Sequence, residues 1–199
     1  MNNICVFCGS KFGNDDLFRQ SAHELGDLIA QNGKQLVYGG GSVGLMGVVA
    51  DAVLENDGHV IGVIPERLAT EELLHAKVPD MRVTADMHAR KATMAELADV
   101  FIALPGGYGT FEELFEIITW AQLGFHRKPI GLLNIAGFYD PLIQMIDQSI
   151  TAGFIKSDNR DLIVVRTTVS EMLDAIETHE LPQVRVWNGP QTTPQQETS

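Results

Sequence analysis

The chain has 199 residues, 45% hydrophobic and 20% charged, which fits an ordinary globular protein with one sizeable core. A formal charge of −12 argues against a general nucleic-acid binder, although a local cluster of amides and cations can still hold a small anion. The apolar runs are short and glycine-interrupted, so no membrane span is predicted. Met1 leads into Ile4-Cys5-Val6-Phe7 without a basic start or a small-residue cleavage site, so a cytoplasmic protein is expected.

In chain order the pattern predicts a strand at 4–9, a helix at 16–31, a strand at 35–39, a helix at 44–55 and strands at 59–64 and 81–84. A helix at 87–98, a strand at 100–104, a helix at 111–123 and a strand at 129–134 follow. The series closes with a helix at 141–152, a strand at 162–166 and a helix at 169–179. The strands read as near-continuous apolar runs, the pattern of strands covered on both faces. The alternation predicts an α/β fold: a Rossmann-like, doubly wound parallel sheet of about seven strands with helices on both faces. One domain is expected over residues 1–187, with Trp187 pinning its end and a disordered Pro/Gln-rich tail over 188–199. Cys5 and Cys8 form a CxxC inside a predicted strand, which reads as two buried core thiols rather than an activated pair at a helix start. The six histidines have no HxxxH or His-Cys ligand spacing, so no metal site is expected.

Glycine clusters fall at three predicted strand ends: Cys8-Gly9-Ser10 with Gly13, the stretch GGGSVGLMG from Gly39 to Gly47, and Pro105-Gly106-Gly107-Tyr108-Gly109-Thr110. Ligands of open parallel sheets bind at such ends, where bare amides and a helix start favour phosphate. Gly39, Gly41 and Gly44 also satisfy GxGxxG, with Glu66 about twenty residues on. That dinucleotide reading is weakened because the motif follows the second strand and Glu66 follows a proline. A tight strand-to-helix crossover would need the same glycines without any ligand.

Arg90 and Lys91 lie near the start of the predicted 87–98 helix, where their charge opposes the macrodipole and a bound anion would compensate it. Thr110 and Glu113 have the spacing of a capping box, with Thr110 as N-cap and Glu113 three residues on. Thr168 and Glu171 repeat that spacing without glycines, so spacing alone does not make Glu113 chemical. The neighbouring glycines have to supply the difference.

The pairing of MHARK (Met87 to Lys91) with PGGYGTFEE (Pro105 to Glu113) resembles the Lonely Guy family of cytokinin-activating phosphoribohydrolases. The VFCGS start, GGGSVGLMG and ITWAQLG (Ile118 to Gly124) are also similar to that family. The resemblance implies hydrolysis of the N-glycosidic bond of a nucleoside 5′-monophosphate to a free base and ribose 5-phosphate, with no metal or organic cofactor. It implies Arg90 and Glu113 as the catalytic pair. Lys91, Gly106, Gly107, Tyr108, Gly109, Thr110 and Thr119 would bind substrate, with Ser10, Gly40 and Gly41 as further contacts from the other two loops. Glu72 is a weaker candidate contact. Chemically, a carboxylate suits the oxocarbenium character of ribosyl C–N cleavage, and Arg90 would keep Glu113 ionised. The strongly apolar helix at 111–123, taken with the resemblance, implies a homodimer packed through that helix. A non-catalytic nucleotide carrier on the same fold is the alternative.

Overall fold

The computed structural model describes residues 1–70 and 73–183. Glu72, Trp187 and the tail expected over 188–199 lie outside the described residues.

Seven parallel strands form one sheet: β1 (Asn3–Phe7), β2 (Gln35–Tyr38), β3 (His59–Pro65), β4 (Asp80–Thr84), β5 (Val100–Ala103), β6 (Ile130–Leu133) and β7 (Ile163–Arg166). Their order is β4-β3-β2-β1-β5-β6-β7, so the chain builds outward from β1 to one edge and then returns to build the other. The reversal lies between β1 and β5, where Ile4 pairs with Val100 and Phe7 with Ala103. This is the switch point of a doubly wound, Rossmann-like sheet.

Among the described residues, six α-helices cover the faces: α1 (Asp16–Gln31), α2 (Gly44–Glu55), α3 (Met87–Leu97), α4 (Tyr108–Leu123), α5 (Asp140–Thr151) and α6 (Val169–Thr178). Leu25 and Ile29 of α1, Val49 of α2 and Met172 of α6 share one buried cluster with Ile4 and Val6. Met94 of α3, Leu114 and Ile117 of α4 and Ile146 of α5 share the other with Cys5 and Phe7. Successive β1 residues thus feed opposite cores, as the strand period of two requires. Cys5 and Cys8 are both buried and unbridged. β4 departs from the apolar-strand expectation: Arg82 and Val83 are exposed because β4 is an edge strand.

Predicted element ends mostly fall within a residue or two of the observed ones, and α4 is the informative exception. It starts at Tyr108, three residues before the predicted start, with Gly107 as its N-cap and no side chain capping it. Thr110 therefore sits inside the first turn, and the predicted Thr110–Glu113 capping box does not form. At the start of α6 the N-cap half does form: the Thr168 hydroxyl accepts from the Glu171 amide at 3.4 Å.

Candidate active site

The carboxyl ends of the strands are stitched into a crest. Gly9 donates to the Pro105 carbonyl at 3.0 Å, Leu104 to Phe7 at 2.9 Å and Leu45 to Gly9 at 3.0 Å. The Tyr139 hydroxyl, fully buried, donates to the Leu104 carbonyl at 2.7 Å and holds the last turn before Pro105. These bonds fix the loop after β5 against the loop after β1 and set where α4 begins.

Around this crest the two later glycine loops differ. Gly40 and Gly41 are buried. A Cβ on Gly40 would meet Ile64 at 3.0 Å and Met81 at 3.1 Å, and one on Gly41 would meet Met46 at 2.8 Å. The Leu73–His75 segment lies across them: Ser42 donates to Leu73 at 2.8 Å and His75 to Gly40 at 3.1 Å. Protein therefore fills the space in front of the second loop. Gly107, Tyr108 and Gly109 are exposed, and a Cβ on Gly107 or Gly109 would touch nothing within 4 Å. Gly106 is different again, since its Cβ would fall 2.2 Å from the buried Thr110 hydroxyl. Thr110 packs beneath the turn.

The first-turn amides of α4 have no intrahelical acceptor, and no side chain from Gly107 supplies one. Ser10, also exposed, and Lys11 face Gly106, Gly107 and Tyr108 across a cavity of about 410 Å³, walled on its apolar side by Phe18 and Phe138. A second cavity of about 440 Å³ lies over Pro65, Arg67, Met87 and His88. Arg90 and Glu113 line neither cavity.

Asp86 caps α3 by accepting from the Ala89 amide at 2.8 Å, which orients the first turn so that Arg90 points back over the sheet. The Arg90 Nε donates to the Val63 carbonyl at 3.0 Å, and Nη1 lies 3.2 Å from the Glu113 carboxylate. Its Nη2 rests on Gly39, where a Cβ would be only 2.1 Å away. Both partners are nearly buried, with side chains 10% and 9% exposed. The unfavourable placement of Arg90 at a helix start is thus offset by Glu113 and a strand carbonyl. Lys91, equally buried, turns away to Glu112 and Glu116 of α4. For both cations, α4 supplies the anion that the sequence pattern left open.

Burial pushes the Glu113 carboxyl up to about 7, although Arg90 pulls it down; Glu112 pushes it up, Lys91 pulls it down and Glu116 pushes it up. Arg90 favours the ionised carboxylate as expected, but desolvation in a nearly dry site outweighs one partner at 3.2 Å. A carboxyl poised near neutrality can take and return a proton. Burial lowers the Lys91 ammonium, but its hydrogen bonds to Glu112 and Glu116 outweigh that and raise it above the usual lysine value. It is a locked cation, unlike the neutral amine that Schiff-base chemistry requires.

Arg90, Glu113, Thr110 and the open turn of Gly106, Gly107, Tyr108 and Gly109 come together at the switch point, with Ser10 across the cavity. Gly40 and Gly41 lie beneath the surface beside them. Thr119 stands apart: it is exposed on the outer face of α4, with its hydroxyl donating to the Phe115 carbonyl at 2.7 Å. Three partners were not anticipated, namely the Val63 carbonyl, Glu112 and Glu116. The two glutamates had a readable signal, because α4 carries three glutamates and no lysine or arginine of its own. The Val63 carbonyl had none.

A family model described as "Possible lysine decarboxylase" matches residues 46–176. The cytokinin riboside 5′-monophosphate phosphoribohydrolase LOG of Oryza sativa subsp. japonica is 50% identical over 183 residues, 92% of this chain and 75% of the relative. The cytokinin riboside 5′-monophosphate phosphoribohydrolase LOG3 of Arabidopsis thaliana is 51% identical over 87% of this chain and 81% of its own length. Among solved structures, the Moco carrier protein of Chlamydomonas reinhardtii aligns with a TM-score of 0.67 at 26% identity, covering 88% of this chain and 95% of that one. With half its residues shared across most of its length with curated relatives, and with Arg90, Glu113 and the open glycine turn at the switch point, the chain belongs to the Lonely Guy phosphoribohydrolase family.

Proposed function

We propose that this protein hydrolyses the N-glycosidic bond of N6-substituted adenosine 5′-monophosphates, releasing the cytokinin base and ribose 5-phosphate. The observation that carries the reading is the Arg90–Glu113 pair, buried at 3.2 Å one turn beyond an uncapped helix start whose two outer glycines face open space. The 5′-phosphate is held by the amides of Gly107, Tyr108 and Gly109, aided by the helix dipole, and this anchors the ribose. As the C1′–N bond breaks, positive charge grows on the sugar, and ionised Glu113 stabilises it and takes a proton from the attacking water. The water oxygen becomes the C1′ hydroxyl, the bond electrons leave with the base, and the proton passes to the base nitrogen. Arg90 orients the Glu113 carboxylate and offers its remaining donors to ribose or phosphate oxygens.

The test is a panel of nucleoside 5′-monophosphates and matching nucleosides, with released base quantified. Release from monophosphates but not from nucleosides is expected, with a loss of about 10²-fold or more in Glu113→Gln and Arg90→Ala. Equal release from nucleosides would remove the phosphate from the argument. A folded Glu113→Gln enzyme with wild-type turnover would remove the catalytic assignment.

The likeness to a carrier protein favours one other reading, a non-catalytic nucleotide binder on the same fold. It predicts tight nucleotide binding with no base release, and Glu113→Gln would leave that binding intact. Homodimerisation through α4 belongs to the main proposal. Phe115, Leu123 and Phe125 remain 37%, 42% and 75% exposed on or just beyond that helix, and a second copy would bury them. Thr119 lies on the same face. Sedimentation showing only monomer at micromolar concentration would count against the dimer.

A further inference from the structure

Helix α3 presents two adjacent cations to α4, and they do different things. Arg90 reaches Glu113, whereas Lys91, about 100° further round the helix, places its ammonium between the flanking carboxylates. It donates to Glu112 and Glu116, the latter with Oε1 at 3.2 Å and Oε2 at 3.1 Å. Glu112 and Glu116 are one turn apart on the same stripe, an arrangement of like charges that α4 cannot relieve by itself because it contains no cation. Lys91 side-chain exposure is 8%, so its ammonium is committed to this bracket rather than sampling solvent.

We propose that Lys91 is a positioning residue: by bracketing Glu112 and Glu116 it ties α4 to α3 and screens Glu113 from their charge. The proposal rests on the reading of Glu113 as the reacting carboxylate. The groups facing Glu113 are Arg90 and Lys91 from α3, Glu112 and Glu116 from α4 itself, and the buried thiols Cys5 of β1 and Cys8 just beyond it. Arg90 and Lys91 favour the ionised form of Glu113, while Glu112 and Glu116 oppose it. Removing Lys91 therefore leaves two uncompensated negative charges beside the group that has to be negative to react.

The test uses three full-length variants: Lys91→Met, Glu112→Gln/Glu116→Gln, and the triple combination. For hydrolysis of adenosine 5′-monophosphate, Lys91→Met is expected to lower kcat about tenfold with KM changed less than about twofold. Its acid limb of kcat/KM should move up by about one pH unit, while the carboxylate pair variant moves it down and the triple variant returns both quantities towards wild type. A tenfold rise in KM at unchanged kcat, persisting in the triple variant, would overturn the proposal and make Lys91 a substrate contact. Glu113 titration followed by ¹³C NMR in glutamate-labelled protein, assigned by Glu113→Gln, gives the answer without turnover. The same pattern of shifts supports the bracket, and an unmoved Glu113 resonance refutes it. If wild-type protein releases no base, the hydrolase reading fails and the NMR titration still decides the role of Lys91. The carboxylate pair variant keeps Lys91, so its downward shift remains measurable if Lys91→Met does not fold.

Discussion

The two later glycine loops, GGGSVGLMG after β2 and PGGYGT after β5, look alike as strings and serve opposite ends. In the first, every glycine is shaped by the protein: Gly40 abuts Ile64 and Met81, Gly41 abuts Met46, and Gly44, at φ +61°, would put a Cβ 2.2 Å from the Ser10 backbone. In the second, Gly107 and Gly109 have no protein neighbour for a Cβ to meet. A glycine demanded by packing and one with open space in front of it are indistinguishable in sequence. They separate only when the space in front of each is known.

The largest effect that could break this comparison is at Gly44. A Cβ there would strike backbone at a left-handed φ, so Gly44→Ala should cost about 3 kcal/mol or more of stability, measured by urea unfolding. A fully stable Gly44→Ala protein would mean that the first loop is not held by packing.

Glu113 sits one turn beyond the open loop and should cost the fold something. Its carboxyl is raised from the usual 4.5 to about 7, so between those values the folded protein holds more protons than the unfolded chain. The stability that protonated Glu113 supports is fully present below pH 4.5 and is lost as pH rises through about 7. Glu113→Gln should therefore match wild type at low pH and exceed it at pH 8 by on the order of 3 kcal/mol, while losing hydrolysis. A variant of equal stability at pH 8 would mean that the ionised carboxylate is fully compensated in the folded protein and that its pKa is not raised. In the active wild type, kcat/KM should climb with pH through about 7 as Glu113 ionises.

Gly39 belongs to the packed loop and touches Arg90 of the proposed catalytic pair. Its missing Cβ seats the far end of the Arg90 side chain, which can swing away, so Gly39→Ala should fold. Displacing the guanidinium from Val63 and Glu113 should lower kcat/KM about 10- to 100-fold. Unchanged kcat/KM would show that Arg90 does not need its seat. The smallest effect lies in the open loop. Gly109 is helical and unobstructed, so Gly109→Ala should stabilise the protein by about 0.5–1 kcal/mol in thermal or urea unfolding. It should also raise KM for the monophosphate if the phosphate lies against that turn. A more stable variant with unchanged KM would move the phosphate elsewhere.

The two T-x-x-E boxes show how far sequence reading reached. Thr168 caps α6 through the Glu171 amide, as their spacing predicts, because nothing nearby competes for the helix start. Thr110 and Glu113 have the same spacing, yet α4 begins at Tyr108, since the crest bonds through Gly9, Leu104 and Tyr139 fix the turn at Pro105. Thr110 is drawn under Gly106, and Glu113 is carried inward to Arg90. The local signal was valid, and tertiary contacts outweighed it.

The alternation of apolar strands with amphipathic helices, and hence the parallel sheet, was legible in the chain alone, whereas the strand order that puts the switch point between β1 and β5 came from the folded molecule. The sequence also singled out Arg90, Glu113 and the PGGYGT turn, because strand periodicity, glycine placement and motif pairing are local properties. Tertiary structure alone decided which glycines stay open, that Arg90 is shared by Val63, Gly39 and Glu113, and that Lys91 serves Glu112 and Glu116. Those facts depend on distances between segments far apart in the chain. Burial, which lifts Glu113 to about 7 against the pull of Arg90, exists only once both faces of the sheet are covered.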